Sequence, residues 1–150
     1  MSLPALPLRQ PSTTTQHQMV FVNLPVDDLG RSRAFFTRLG YRFDEDFCDD
    51  DALSLRLGPT SWAMLLRREH FGRFHDGTTA PPGTASALLC LSAVSRGEVD
   101  ALVDRAVRAG GTPVRTQDLG FMYGRSYADP DGHVWEIMWM DAAAALEETS

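Results

Sequence analysis

The chain reads twice as a strand, a helix and three further strands, and few folds accommodate that order. Val20, Val22, Leu24 and Val26 alternate with Phe21, Asn23 and Pro25, which predicts a strand over residues 19–26 with one aliphatic and one mixed face. Asp27 or Asp28 then opens a helix with an apolar stripe of Leu29, Phe35, Phe36 and Leu39, and Gly40 ends it. Three strand-like segments follow over residues 41–47, 53–57 and 62–67, with a turn at Gly58-Pro59. The second half begins with a strand over residues 85–93. Ser95 and Glu98 have capping-box spacing before a helix striped by Val99, Leu102, Val103 and Ala106, which stops at Gly110-Gly111. Strands are predicted again over residues 113–116, 121–128 and 133–140.

This order predicts an α+β fold of two βαβββ modules whose sheets can face each other around a shared cleft. The alternative is a ferredoxin-like sandwich without a cleft. The expected boundaries are a flexible tail over residues 1–18 and a single domain over 19–140. That domain comprises module one (19–70), a Gly- and Pro-rich linker (71–84) and module two (85–140), and residues 141–150 form a tail or short helix.

Charge narrows the partners. A net charge of -6 offers no basic face for nucleic acid or for an anionic membrane surface, and no apolar run approaches the roughly 20 residues of a spanning helix. The residues before 19 lack the apolar stretch of a signal peptide, because Pro4 and Pro7 interrupt Leu3, Leu6 and Leu8. Cys48 and Cys90 form no CxxC pair and are expected as buried free thiols in a reducing cytoplasm, with a disulfide the minor alternative. The acidic run 44–51 reads as a solvated hairpin edge.

Asp129-Pro130-Asp131-Gly132 is a strong tight-turn signal. An aromatic strand enters it and Val134-Trp135-Glu136-Ile137-Met138 leaves it. With Leu24-Pro25-Val26-Asp27-Asp28-Leu29, Arg31-Ser32, Phe35-Phe36 and Leu39-Gly40-Tyr41, this turn resembles the vicinal oxygen chelate superfamily over residues 20–140. That superfamily includes glyoxalase I, extradiol dioxygenases, fosfomycin-resistance enzymes and bleomycin-binding proteins. The resemblance implies two βαβββ modules, a homodimer, and in the enzymes a divalent metal held by side chains from the first and last strands of each module.

Glu136, five residues past Asp131, matches the last metal position of that pattern. The other positions carry Phe21, Leu65 and Leu88 or Leu89, where imidazole, amide or carboxylate groups are expected. No His lies between His75 and His133. One carboxylate does not hold a catalytic metal. A rearranged divalent site would recruit His70, His75 or Glu69 to Glu136.

Phe21, Asn23, Leu65, Ser126, Glu136 and Met138 are therefore the expected lining residues of a cleft for a small apolar or aromatic molecule. Glu136 serves as its polar anchor or, with partners missing, as a metal ligand. The alternatives are a metal-dependent lyase, isomerase or dioxygenase with an altered ligand set, and a structural or regulatory dimer. Ser126 is expected to face the cleft and Arg125 the opposite side, unless a one-residue bulge exchanges them. His133 reads as a turn residue, and His70 and His75 as linker residues.

Overall fold

A computed structural model describes residues 14–144. Most of the two terminal segments expected as tails lies outside the described residues. The elements are β1 (Val20–Val26), α1 (Leu29–Arg38), β2 (Arg42–Phe43), β3 (Ala52–Gly58), β4 (Ser61–Arg67), α2 (Arg68–Phe71), β5 (Leu88–Ser92), α3 (Arg96–Arg108), β6 (Thr112–Asp118), β7 (Met122–Ala128) and β8 (Val134–Met140). They build two four-stranded sheets, ordered β1-β4-β3-β2 and β5-β8-β7-β6. In each, the first strand pairs parallel with the last and the remaining pairings are antiparallel. The two βαβββ modules expected from the element order are present.

The local signals act as their chemistry requires. The Asp28 carboxylate accepts from the Arg31 N–H at 3.0 Å and caps α1. The Ser95 hydroxyl accepts from the Glu98 N–H at 3.0 Å, and Glu98 reaches back to the Val94 N–H at 2.7 Å.

Both helices pack into one core. Leu24, Val26, Leu53, Leu55, Ala63 and Leu65 from the first sheet share it with Val99, Val103 and Ala106 of α3 and with Tyr127, Trp135 and Ile137 of the second sheet. α1 bridges the modules: Phe36 meets Trp135 edge-on with ring centres 5.4 Å apart, and Phe35 lies 6.0 Å from Tyr127. Burial raises the Tyr41 phenol to about 12, and raises that of Tyr127 as well. Each sheet therefore buries one face on this core and turns its other face away from it.

The turn at Asp129–Gly132 locks the modules together. The buried Asp131 carboxylate accepts from the Asp27 N–H at 2.8 Å and from Arg31 at 2.9 Å, both at the entry to α1 of the other module. The Ser32 hydroxyl lies 3.5 Å from its second oxygen. Asp129 shapes the turn from inside, accepting from the N–H groups of Asp131 and His133 and from the Trp135 indole at 3.0 Å. Burial raises its carboxyl above the usual carboxylate range, while Trp135 opposes that shift. His133 bonds through Nε2 to the Pro25 carbonyl at 2.7 Å, so this residue belongs to the joint. A Cβ on Gly132 would stand 2.8 Å from the Gly83 nitrogen, and its φ of 85° is in the left-handed region, so glycine is needed where the linker crosses the turn.

Several expectations change. The strand expected over residues 41–47 is only Arg42–Phe43, and Glu45–Phe47 forms a 3-10 turn. Asp44 keeps one bond to β3, its N–H to the Ser54 carbonyl at 3.0 Å, while its carboxylate accepts from the Trp62 indole at 2.6 Å and pairs with Arg56 at 3.0 Å, and the chain then turns away. The acidic run is thus not a plain solvated edge, because Glu45 also pairs with Arg33 and Asp51 with Arg67. β5 starts three residues later than expected, and the short helix α2 leads into the linker, which opens with a 3-10 turn over Gly72–Phe74. Both cysteines are free, but Cys48 is half-buried and Cys90 is exposed. Among the described residues no helix is long and apolar enough to cross a membrane.

Candidate functional site

The strand registers define matching rows on the outward faces of the two sheets. Asn23 lies five residues before the cap Asp28, and Cys90 five before the cap Ser95. Asn23 pairs with Met64 and Met64 with Ser54, whose carbonyl accepts from the Asp44 N–H at the outer end. In the second module Cys90 pairs with Glu136, Glu136 with Ser126, and Ser126 with Arg115. The rows are therefore Asn23–Met64–Ser54–Asp44 and Cys90–Glu136–Ser126–Arg115.

Of the residues expected to line a cleft, Phe21 and Asn23 stand on the outward face of the first sheet, and Ser126, Glu136 and Met138 on that of the second. Leu65 does not join them: it is fully buried against the core, and its neighbour Met64 takes the outward position. The two groups lie on separate sheets that turn away from the common core, so one chain does not bring them face to face. Arg125 points to the helix side, where it holds Asp100 and Asp104 at 3.0 Å, and so makes no pair with Glu136.

The second sheet carries a groove of about 470 Å³ lined by Arg115, Gln117, Met122, Ser126, Glu136 and Met138, with Gly124 at its floor. Ser126 is buried there and accepts from the Arg115 N–H at 3.1 Å through its hydroxyl. Glu136 and Arg115 make no ion pair within 4 Å among the described residues. Partial desolvation at its sulfur, and then the adjacent Glu136 carboxylate, raise the Cys90 thiol above its ordinary value, although the residue as a whole is exposed.

The first sheet's face is aromatic. Phe21 stacks on Trp62 with ring centres 4.8 Å apart, and Arg56 covers Trp62 at 4.9 Å. A larger hollow of about 830 Å³ lies between β1, the linker and the Asp129–Gly132 turn. Arg68, His75 and Asp131 in its wall are engaged: Arg68 binds Asp27 and the Ala80 carbonyl, His75 lies 2.9 Å from Thr79, and Asp131 is clamped to α1, whereas Asn23 lines it with no side-chain partner among the described residues.

A family model described as bleomycin resistance protein-like N-terminal matches residues 18–50. No curated protein sequence matches the chain. Three solved structures are similar to it. A glyoxalase-related enzyme from Fulvimarina pelagi is 22% identical with a TM-score of 0.71, covering 83% of this chain and 88% of that one. A hypothetical protein from S. aureus is 23% identical with a TM-score of 0.70, covering 85% and 95%. A glyoxalase/bleomycin resistance protein/dioxygenase family enzyme from Burkholderia phytofirmans is 20% identical with a TM-score of 0.67, covering 80% and 96%. The chain has the glyoxalase/bleomycin-resistance fold, as its turn and paired modules implied.

Does the site suit the divalent metal of the enzymes with this fold? The sequence pattern put Phe21, Leu65 and Leu88 or Leu89 beside Glu136 in that set; by strand register the outward positions equivalent in the two modules are Asn23, Met64, Cys90 and Glu136, an amide, a thioether, a raised thiol and one carboxylate. Hard divalent cations want several oxygen or imidazole donors, and this set supplies one charged oxygen ligand. His75 lines the other hollow, and His70 sits 3.9 Å from Asp51 in module one, so neither is brought to Glu136. Among the described residues no three His, Cys, Asp or Glu side chains converge. The residues do not fit that metal.

Proposed function

We propose that this protein binds a small apolar or aromatic molecule in the groove of the second sheet, without a divalent metal, and works as a homodimer. The observation that carries the reading is the groove itself: thioether walls from Met122 and Met138 around a carboxylate, Glu136, that has no second hard ligand. The dimer is supported by geometry. β1 and β5 are the edge strands of their sheets, and Val20, Phe21 and Leu88 are exposed along them. A second copy would cover these edges and set Phe21 and Asn23 of one protomer across from the groove of its partner. The free thiols Cys48 and Cys90 suit a reducing cytoplasm.

A steric block tests the binding. A Cβ on Gly124 would meet only the Ile137 carbonyl at 3.5 Å and Met138 at 3.9 Å, so the strand accepts a side chain that fills the groove. Gly124→Leu should therefore abolish the thermal shifts that a panel of aromatic metabolites produces in the parent. Shifts that survive Gly124→Leu unchanged would remove the groove from the reading. Light scattering should give twice the chain mass. Stoichiometric Ni, Zn, Co, Mn or Fe in protein purified without chelators, lost in Glu136→Ala, would overturn the metal-free part.

A further inference from the structure

The ligand's charge pattern is written in the row Arg115–Ser126–Glu136. Cross-strand partners point to the same side of a sheet, so all three side chains stand over one groove. Arg115 and Glu136 are two strands apart, roughly 10 Å between backbones at about 4.8 Å per strand. The buried Ser126 lies between them.

Elsewhere in module two Arg96 holds Asp118, and Arg125 holds Asp100 and Asp104, while Arg105 and Arg108, like Arg38 and Arg42 of module one and Arg73 of the linker, make no ion pair among the described residues. In module one Arg33, Arg56 and Arg67 are matched to Glu45, Asp44 and Asp51. What sets Arg115 apart is its place: it lines one groove with Glu136, a cation and an anion on either side of the buried Ser126 and Gly124. Met122 and Met138 pack beside the floor of the groove, and Gly124 leaves room above it.

We propose that the groove selects a dipolar ligand: a flat or apolar body with a cationic group bound at Glu136 and an anionic group bound at Arg115. This deepens the binding reading above and rests on it. A ligand with one charge would satisfy one end and leave the other uncompensated. A ligand with both, spaced across two strands, gains two charge-assisted contacts.

Three probes sharing one ring separate the possibilities by calorimetric titration: 4-(aminomethyl)benzoate with both charges, benzylammonium with the positive one, and benzoate with the negative one. The expected result is at least tenfold tighter binding of 4-(aminomethyl)benzoate than of either singly charged probe. Glu136→Gln should reduce it to the affinity of benzoate, and Arg115→Gln to that of benzylammonium. Both positions lie on the outward face, and circular dichroism of the variants checks that they stay folded. The proposal is overturned if the doubly charged probe binds no tighter than the better singly charged one, if either substitution leaves its affinity unchanged, or if none of the three binds. The broader reading falls separately, when no aromatic compound shows binding that Gly124→Leu removes.

Discussion

On the outward face of the first sheet, Asp44 holds the Trp62 indole at 2.6 Å and Arg56 at 3.0 Å, and Phe21 completes the stack. On the matching face of the second sheet, Arg115 stands where Asp44 stands and Glu136 where Met64 stands, and among the described residues neither has an ion-pair partner. The two modules share a plan and treat charge differently. On the first sheet Asp44, Arg56 and Trp62 close on one another beside the Phe21 stack, while Arg42 and Asn23 on that face have no side-chain partner among the described residues. Module two leaves Arg115 and Glu136 without an ion-pair partner among the described residues, beside the thioethers of Met122 and Met138. At the joint between the modules, Asp131 of module two anchors the entry to the helix of module one, beside the bond from His133 to the Pro25 carbonyl.

The largest effect should come from that anchor. Asp131→Ala leaves the Asp27 N–H and Arg31 without their buried acceptor and should cost about 3 kcal/mol in urea denaturation. A loss of under about 0.5 kcal/mol, the size of an ordinary surface change, would show that module one needs no such anchor. Next, Trp62→Ala removes the stack with Phe21, the contact with Arg56 and the bond to Asp44, and about 2 kcal/mol is expected. Glu136→Gln, by contrast, should change stability by less than about 0.5 kcal/mol, because it breaks no ion pair. A large destabilisation there would make Glu136 a structural residue and erase the contrast between the faces.

The smallest effect concerns pH. Arg96 and the Gly120 N–H lower the exposed Asp118 carboxyl to about 2. A depressed folded value means that its contribution is full above the unfolded value of about 3.9 and is lost as pH falls toward 2. The Tm deficit of Asp118→Asn relative to the parent should therefore be present at pH 6 and shrink between pH 4 and pH 2.

Much of this was legible in sequence. The caps at Asp28 and Ser95, the helix stripes and the Asp-Pro-Asp-Gly turn are local signals, and local chemistry decides them. The site was legible only in part. Ala63-Met64-Leu65-Leu66 and Leu88-Leu89-Cys90-Leu91 are apolar throughout, so no alternation tells which residue faces outward, and the register that turns Met64 and Cys90 out is set by pairing with distant strands. Arg115 was hidden by the register shift between Pro113 and Arg115, which changes the phase of its strand. The role of Asp131 was hidden for another reason: its partners lie about a hundred positions earlier in the chain.

Asp131 also says something about descent. The corresponding turn of module one is Gly58-Pro59-Thr60, which has no acid to offer α3, and its carbonyls serve only Val20 and Arg56 of its own module. If the chain arose by doubling of one βαβββ ancestor, the copies have since become unequal at this turn, where only the second offers a carboxylate to the other's helix. A duplicate of the first half would arrive without the carboxylate that its own helix uses. Either half alone is thus no longer a model of the ancestor, and the symmetry visible in the strands is a record of origin more than of present function.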